Sequence, residues 1–226
     1  MTISPEHVAQ AIIWIVLFLA ISGPVHECAH AFVAWKLGDG TAKLFGRITL
    51  DPVKHFDPIG GTLLIVSVTL SALNASPIGF GWAKPTPVNP YNLRGRHADS
   101  MVAAAGPLSN LALAAVFAIA FRILWATNAA WPDNTSPINM LQLVFFTGIE
   151  LNVVLMVFNL IPIPPLDGSH VLFDFLDPRT AHDLRNTMNQ YGMILLIVVV
   201  LFAGQFIGPV IIPIVNFLAG IPILVG

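Results

Sequence analysis

Five consecutive residues, His26-Glu27-Cys28-Ala29-His30, place two imidazoles and a carboxylate within little more than one helical turn. Positions i and i+4 share one face of a helix, so His26 and His30 can reach a single metal ion. Glu27 lies beside them, where a carboxylate can take a proton from a metal-activated water. In a chain with 7 His the string arises by chance about 0.003 times, too rarely for coincidence. The plainer reading is a polar helix face lining a water-filled cavity. It is disfavoured, because three ionisable groups in five residues of an apolar helix are costly to keep without a partner.

Two imidazoles leave a tetrahedral ion short of a protein ligand. The later candidates are Glu150, Asp167, His170, Asp174, Asp177 and His182. Asp167 stands out because it closes the string Asn159-Leu-Ile-Pro-Ile-Pro-Pro-Leu-Asp167-Gly168. Pro162, Pro164 and Pro165 must break the preceding helix, and Gly168 is expected to let the chain turn after the carboxylate. Broken backbone at membrane depth is tolerated only where it is buried in protein or lines a cavity.

The elements that must position these groups are apolar. Of 226 residues, 56% are hydrophobic and 10% charged, and the mean hydropathy is +0.79. A soluble domain carries about 25% charged residues. The expected fold is an all-α polytopic membrane protein, a bundle of about five to six membrane helices with a small re-entrant or β-strand element after the first. It forms one domain over 1–226, with a catalytic core at about 8–176 and membrane helices at 191–225. Three stretches read as crossings, Val8 to Trp35, Met101 to Trp125 and Ile138 to Ile161, the first kinked at Gly23-Pro24. Residues 59–74 are apolar but short, Phe45 to Leu50 has strand-like composition, and the proline-rich 84–90 should be extended. The start MTISPEHVAQ has no basic residue before its apolar run, so no cleaved signal is expected. A net charge of -2 with no basic run argues against a nucleic-acid partner, and the lone Cys28 excludes an internal disulfide.

Taken together, HECAH at 26–30, GWAKPTPVNP at 81–90, AGPLSN at 105–110 and NLIPIPPLDG at 159–168 resemble the site-2 proteases, a family of intramembrane zinc metalloproteases. The resemblance spans residues 20 to 176 in the family's order. It implies one Zn2+ per chain held by His26, His30 and Asp167, with Glu27 as catalytic base and Asn159 near the substrate. The implied substrate is a membrane-spanning protein cut in regulated intramembrane proteolysis, in a prokaryotic cell membrane. Family members often carry a PDZ or CBS domain, for which this chain has no room, so a minimal member is expected. A divalent-metal transporter is the rival, since such proteins also set a His/Glu string in a spanning helix. Transport calls for symmetry-related halves or a second ligand cluster, and the sequence shows neither.

Other polar residues receive weaker assignments. Asn110 is weighed evenly between close helix packing and a substrate contact. Glu150 and Asn152 suit helix–helix hydrogen bonding, His170 is a loop residue rather than a fourth ligand, and His55, His97 and His182 are solvated. Phe45 to Leu50 or 84–90 can pair with an opened substrate as an added strand. Shared depth of the ligands requires an even number of crossings between them, so 59–74 should dip into the membrane and return. Lys36, Lys43, Arg47 and Lys54 before it, and Lys84, Arg94 and Arg96 after it, then lie inside, with the N-terminus external and the metal nearer the cytoplasmic side.

Overall fold

The computed structural model describes residues 5–73, 79–129 and 136–221, and among these it is all-helical. The first long helix has three parts: α1 (Pro5–Leu17), a π turn at Phe18–Ser22, and α2 (Gly23–Lys36). The disturbance expected at Gly23-Pro24 takes the form of this π turn, through which the helix continues. Pro24 has no N–H to give to the carbonyl of Ala20, and the helix absorbs the defect by widening just before it, so that Gly23 N reaches Phe18 O. A Cβ at position 23 would stand 3.0 Å from that oxygen, so glycine suits the site. His26 and His30 follow within the next two turns.

Two one-turn helices come next, α3 (Thr41–Leu44) and α4 (Pro52–His55). The strand expected at Phe45 to Leu50 does not form. Phe45, Gly46 and Arg47 turn their N–H groups back onto the carbonyls of Thr41, Lys43 and Ala42, and Gly46 takes φ 65°. Those donors are therefore spent on a turn. His55, expected to be solvated, is buried and bonds through Nε2 to Thr49 O at 2.8 Å.

The doubtful apolar segment is one helix, α5 (Pro58–Leu73), of 16 residues. At 1.5 Å per residue it reaches about 24 Å, less than a ~30 Å hydrocarbon core. Residues 79–84 then run back along it without helical structure. Ser67 Oγ bonds Phe80 N at 2.8 Å and Phe80 O at 2.9 Å, and Lys84 N reaches His55 O at 2.8 Å, just before α5 begins. Glycine makes this contact: a Cβ at 60 would lie 2.2 Å from Trp82 O, and one at 81 would lie 2.6 Å from Gly60 O. The chain thus enters and leaves at one level, as a re-entrant element does. Residue 74, the end of the predicted segment, lies outside the described residues.

Two long helices follow, α6 (Ala98–Thr127) and α7 (Pro137–Asn159). Beyond the proline-rich break come α8 (Asp167–Phe175), α9 (Pro178–Leu201), α10 (Ala203–Phe206) and α11 (Gly208–Ala219). Among the described residues, three helices are long and apolar enough to cross a membrane: His7–Lys36, Ala98–Thr127 and Pro137–Asn159. A fourth is reached if α9, bent by 43° near residue 189, counts as one span. The expected five to six is approached only by adding α5 and α11, which are short. Residues 222–225 of the predicted C-terminal span are outside the described residues.

The core lies between α1, α5, α6, α7 and α11, where Trp14, Leu64, Phe117, Phe121, Ile149 and Val215 are buried together. α6 and α7 approach closely because residue 148 is glycine; a Cβ there would meet the Phe117 ring at 2.7 Å. α11 ends at Gly220, φ 74°, and Arg122 of α6 donates from Nε to Leu218 O at 2.7 Å at that terminus. At the other end of α6, His97 Nδ1 and Ser100 Oγ hold Asp174 Oδ2 at 2.8 and 2.5 Å, and His170 Nδ1 holds Asp99 Oδ2 at 3.0 Å. These bonds dock α8, and with it Asp167, against the first turn of α6. His97 and His170 are therefore paired rather than free.

Candidate metal centre and active-site cavity

His26 and His30 project from α2 toward the first residue of α8. Their Nε2 atoms lie 3.0 Å apart, and Asp167 Oδ2 stands 3.2 Å from His26 Nε2 and 3.4 Å from His30 Nε2. Tetrahedral zinc with bonds of about 2.0–2.1 Å has ligand-to-ligand edges of about 3.3 Å, so the triangle has the size such an ion requires. Among the described residues this is the one group of three or more His, Cys, Asp or Glu able to share an ion.

The hydrogen bonds behind the rings fix which nitrogens face the triangle. Asn152 Nδ2 donates to Gly148 O at 2.8 Å, so Asn152 Oδ1 must be the acceptor for Asn110 Nδ2 at 2.9 Å. Asn110 Oδ1 is then left to accept from His26 Nδ1 at 2.6 Å. His30 Nδ1 likewise faces a carbonyl, Val102 O, at 2.7 Å. With the rings neutral, as metal ligands must be, both Nδ1 atoms carry the proton and both Nε2 atoms present lone pairs. Asp167 Oδ2 is buried and receives no hydrogen bond. Three acceptors thus converge with no donor among them, an arrangement that a cation resolves and that neutral packing would not sustain. Gly106 of α6 keeps the space open. A Cβ there would lie 2.4 Å from His30 Nε2 and 2.6 Å from His26 Nε2.

Glu27 lines the adjoining cavity of about 900 Å³ together with both histidines, Asp167, His170 and Asn159. Its Oε2 accepts from Thr86 N and Thr86 Oγ1, each at 2.8 Å. Asn159 spends one amide hydrogen on Leu155 O at 2.9 Å and keeps the second. The opposite wall is apolar, with Leu196, Ile197, Val200 and Leu201 of α9.

Asn110 lies elsewhere than a substrate contact would place it. It is fully buried behind His26 and is absent from the cavity wall. Gly168 serves differently as well: it is the second residue of α8 with ordinary backbone, and a Cβ there would lie 2.2 Å from Leu160 O, so its role is close approach of the chain to itself. Segment 84–90 is a poor edge for strand addition. Pro85, Pro87 and Pro90 have no N–H, and Lys84, Thr86 and Asn89 spend theirs on His55 O, Glu27 and Asp39. Glu150 turns away from the centre and accepts from Gln10 of α1 at 3.3 Å. Thr86, Gly106 and the carbonyl of Val102 went unnoticed in the sequence, although two of the three fall inside the motif strings.

Comparison with known proteins points to zinc metalloprotease relatives. YwhC of Bacillus subtilis (strain 168), whose name describes a zinc metalloprotease, is 40% identical over 187 residues, which cover 82% of this chain and 78% of that protein. Rip2 of Mycolicibacterium smegmatis, named in the same way, is 30% identical over 204 residues, 88% of this chain and 71% of its own. Rip2 of Mycobacterium tuberculosis (strain ATCC 25618 / H37Rv) is 29% identical over 212 residues, 92% of this chain and 76% of its own. No solved structure matches. The pattern of peptidase family M50 matches residues 14–203, which hold both histidines, Glu27 and Asp167, and the chain belongs to that family, the site-2 protease family its motifs resemble.

Proposed function

We propose that the protein is a zinc metalloendopeptidase that hydrolyses peptide bonds of membrane-spanning substrates, with His26, His30 and Asp167 as zinc ligands and Glu27 as the base. The observation that carries the reading is the convergence of three acceptors without a donor, beside a carboxylate, in a mainly apolar cavity between helices of membrane-crossing length. Bound zinc supplies Lewis acidity, lowering the pKa of water and polarising a carbonyl.

The chain's own groups do the remaining work. Glu27 takes the proton that water releases and later delivers it to the leaving amine. Asn110 and Val102 hold the imidazoles in the tautomer that frees Nε2. Asn159, with one amide hydrogen to spare, donates to the oxygen on which charge develops. The side chains of α9 admit an apolar substrate, and a helix must unwind there before its carbonyls are reachable. Gly81, Trp82 and Ala83 line the cavity and their N–H groups take no partner among the described residues, so an opened chain would pair along this stretch rather than along 84–90.

The return of 79–84 to the level of His55 supports an even number of crossings between the ligands. It fits a metal nearer the cytoplasmic face and an external N-terminus; a role in regulated intramembrane proteolysis rests on the family resemblance alone. Purified protein incubated with single-span substrates should cleave them, and a chelator or Glu27→Gln should stop cleavage, the latter with zinc retained. Zinc flux into liposomes with no proteolysis would favour the transporter instead.

A further inference from the structure

Glu27 is the one member of the site whose orientation the metal triangle does not explain. Its carboxylate is held from outside α2, by a residue 59 positions away in the extended segment. Thr86 N and Thr86 Oγ1 both lie 2.8 Å from the same oxygen, Oε2, and Oγ1 also lies 2.9 Å from the Glu27 carbonyl oxygen. A threonine hydroxyl has a single proton, so it serves Oε2 or the carbonyl at any moment, while the main-chain N–H serves Oε2 throughout. Oε1 accepts no hydrogen bond among the described residues.

We infer that Thr86 is a positioning residue that acts through Glu27, fixing its carboxylate so that Oε1 is the oxygen that exchanges protons in the cavity. The inference rests on the peptidase reading above. Two donors on Oε2 hold the carboxylate in one orientation and leave its other oxygen for the proton. In the reaction, the proton lost by water arrives on Oε1 while the water oxygen bonds to the scissile carbonyl carbon. As the C–N bond breaks, its electron pair stays on nitrogen, which takes the proton back from Oε1.

A purely structural role, sealing the loop onto α2, is already filled. Lys84 N is bonded to His55 O and Asn89 N to Asp39 Oδ2, so the segment is pinned on both sides of Thr86 without its hydroxyl.

Thr86→Val removes the hydroxyl, keeps the N–H and preserves the side-chain shape. It should lower kcat about ten-fold, the rate equivalent of one hydrogen bond to a charged group, with KM and zinc content unchanged. Thr86→Ser should restore most of the rate. A raised KM or a lower Tm with kcat intact would mean that Thr86 only seals the loop, and the proposal would be lost. A second readout does not depend on turnover: melting of the wild type, Thr86→Val, Glu27→Gln and the double variant should be non-additive, because both changes act on one contact. Additive shifts would overturn the contact itself. If the wild type cleaved nothing while the cycle stayed non-additive, the peptidase reading would fail and the positioning role with it.

Discussion

Asp39 and Asp167 are both carboxylates withdrawn from water, and what surrounds them is opposite. Asp39 is met only by donors: Thr41 N at 3.1 Å, Thr41 Oγ1 at 2.5 Å and Asn92 Nδ2 at 3.1 Å on Oδ1, and Asn89 N at 2.7 Å on Oδ2. Asp167 Oδ2 is met by two ring nitrogens that offer lone pairs when the rings are neutral. Burial pushes the Asp39 carboxyl up, but the bonds from Thr41, Asn89 and Asn92 outweigh it and hold the group below the usual carboxylate range. A carboxylate ringed by donors is complete and fastens two loops. One ringed by acceptors is incomplete until a cation arrives. Neighbours, rather than residue type or burial, separate the acid that fastens loops from the one proposed to hold the metal.

Removing each acid should therefore have different consequences, and the largest belongs to Asp167. Asp167→Ala should leave well below one zinc per chain and no detectable proteolysis, since two imidazoles alone bind the ion weakly. Full occupancy by metal analysis would exclude Asp167 from the site. Removal of the Asp39 carboxylate should leave zinc at the wild-type level.

Gly106 tests the same contrast by steric means. In Gly106→Ala the added methyl would stand within 2.6 Å of ring atoms of both histidines, so the rings must move. Zinc affinity should fall by about 100-fold or more, the upper end of what disturbing the groups behind a ligand costs. Competition against a coloured chelator would measure it. Wild-type affinity in that variant would show that the imidazoles sit differently from the arrangement described.

The two acids also differed in how far the sequence revealed them. Asp167 could be singled out because prolines isolate it at the end of an apolar helix and because its string pairs with HECAH. Asp39 sits in Gly38-Asp39-Gly40, an ordinary turn composition, and its partners Asn89 and Asn92 are 50 and 53 residues away, so nothing local marks it. The three long helices were legible from hydropathy, within three residues at each end. The turn at 45–47 was not, because the composition of 45–50 is strand-like while its first N–H groups are spent on a turn at Gly46. Asn110 and Asn152 were visible as polar residues in apolar helices. Their meeting depends on the register of α6 against α7, which one sequence does not fix.

That register supplies a smaller prediction. Asn152→Leu removes the acceptor that orients the Asn110 amide, which can then flip and present Nδ2 to His26. The imidazole would change tautomer and turn an N–H toward the metal triangle. Zinc affinity should weaken about 10- to 100-fold, while Asn110→Asp, which keeps an acceptor, should bind nearly as tightly as the wild type. Equal losses in the two variants would mean that packing, not tautomer, is the cause.

The smallest effect belongs to Asp39 and is read in its pH dependence. Asp39→Asn keeps one oxygen for Thr41 and Asn92 but turns an amide N–H₂ toward the N–H of Asn89, so a donor meets a donor. The loss at neutral pH should be about 1–3 kcal/mol, the cost of leaving a buried donor unpaired. Its sign with pH follows from the depressed pKa of Asp39 in the folded protein. Such a group stabilises the fold above its unfolded pKa of about 3.9 and loses that contribution as pH falls through the lower folded value. The wild type should therefore melt several degrees above Asp39→Asn at pH 7, and the gap should narrow as pH falls below the unfolded value of about 3.9. The narrowing must come from the wild type falling, because the asparagine variant has no proton to gain at that position. A gap that stayed constant down to pH 3 would show that Asp39 acts through shape and not through its charge, and the contrast with Asp167 would then rest on the metal side alone.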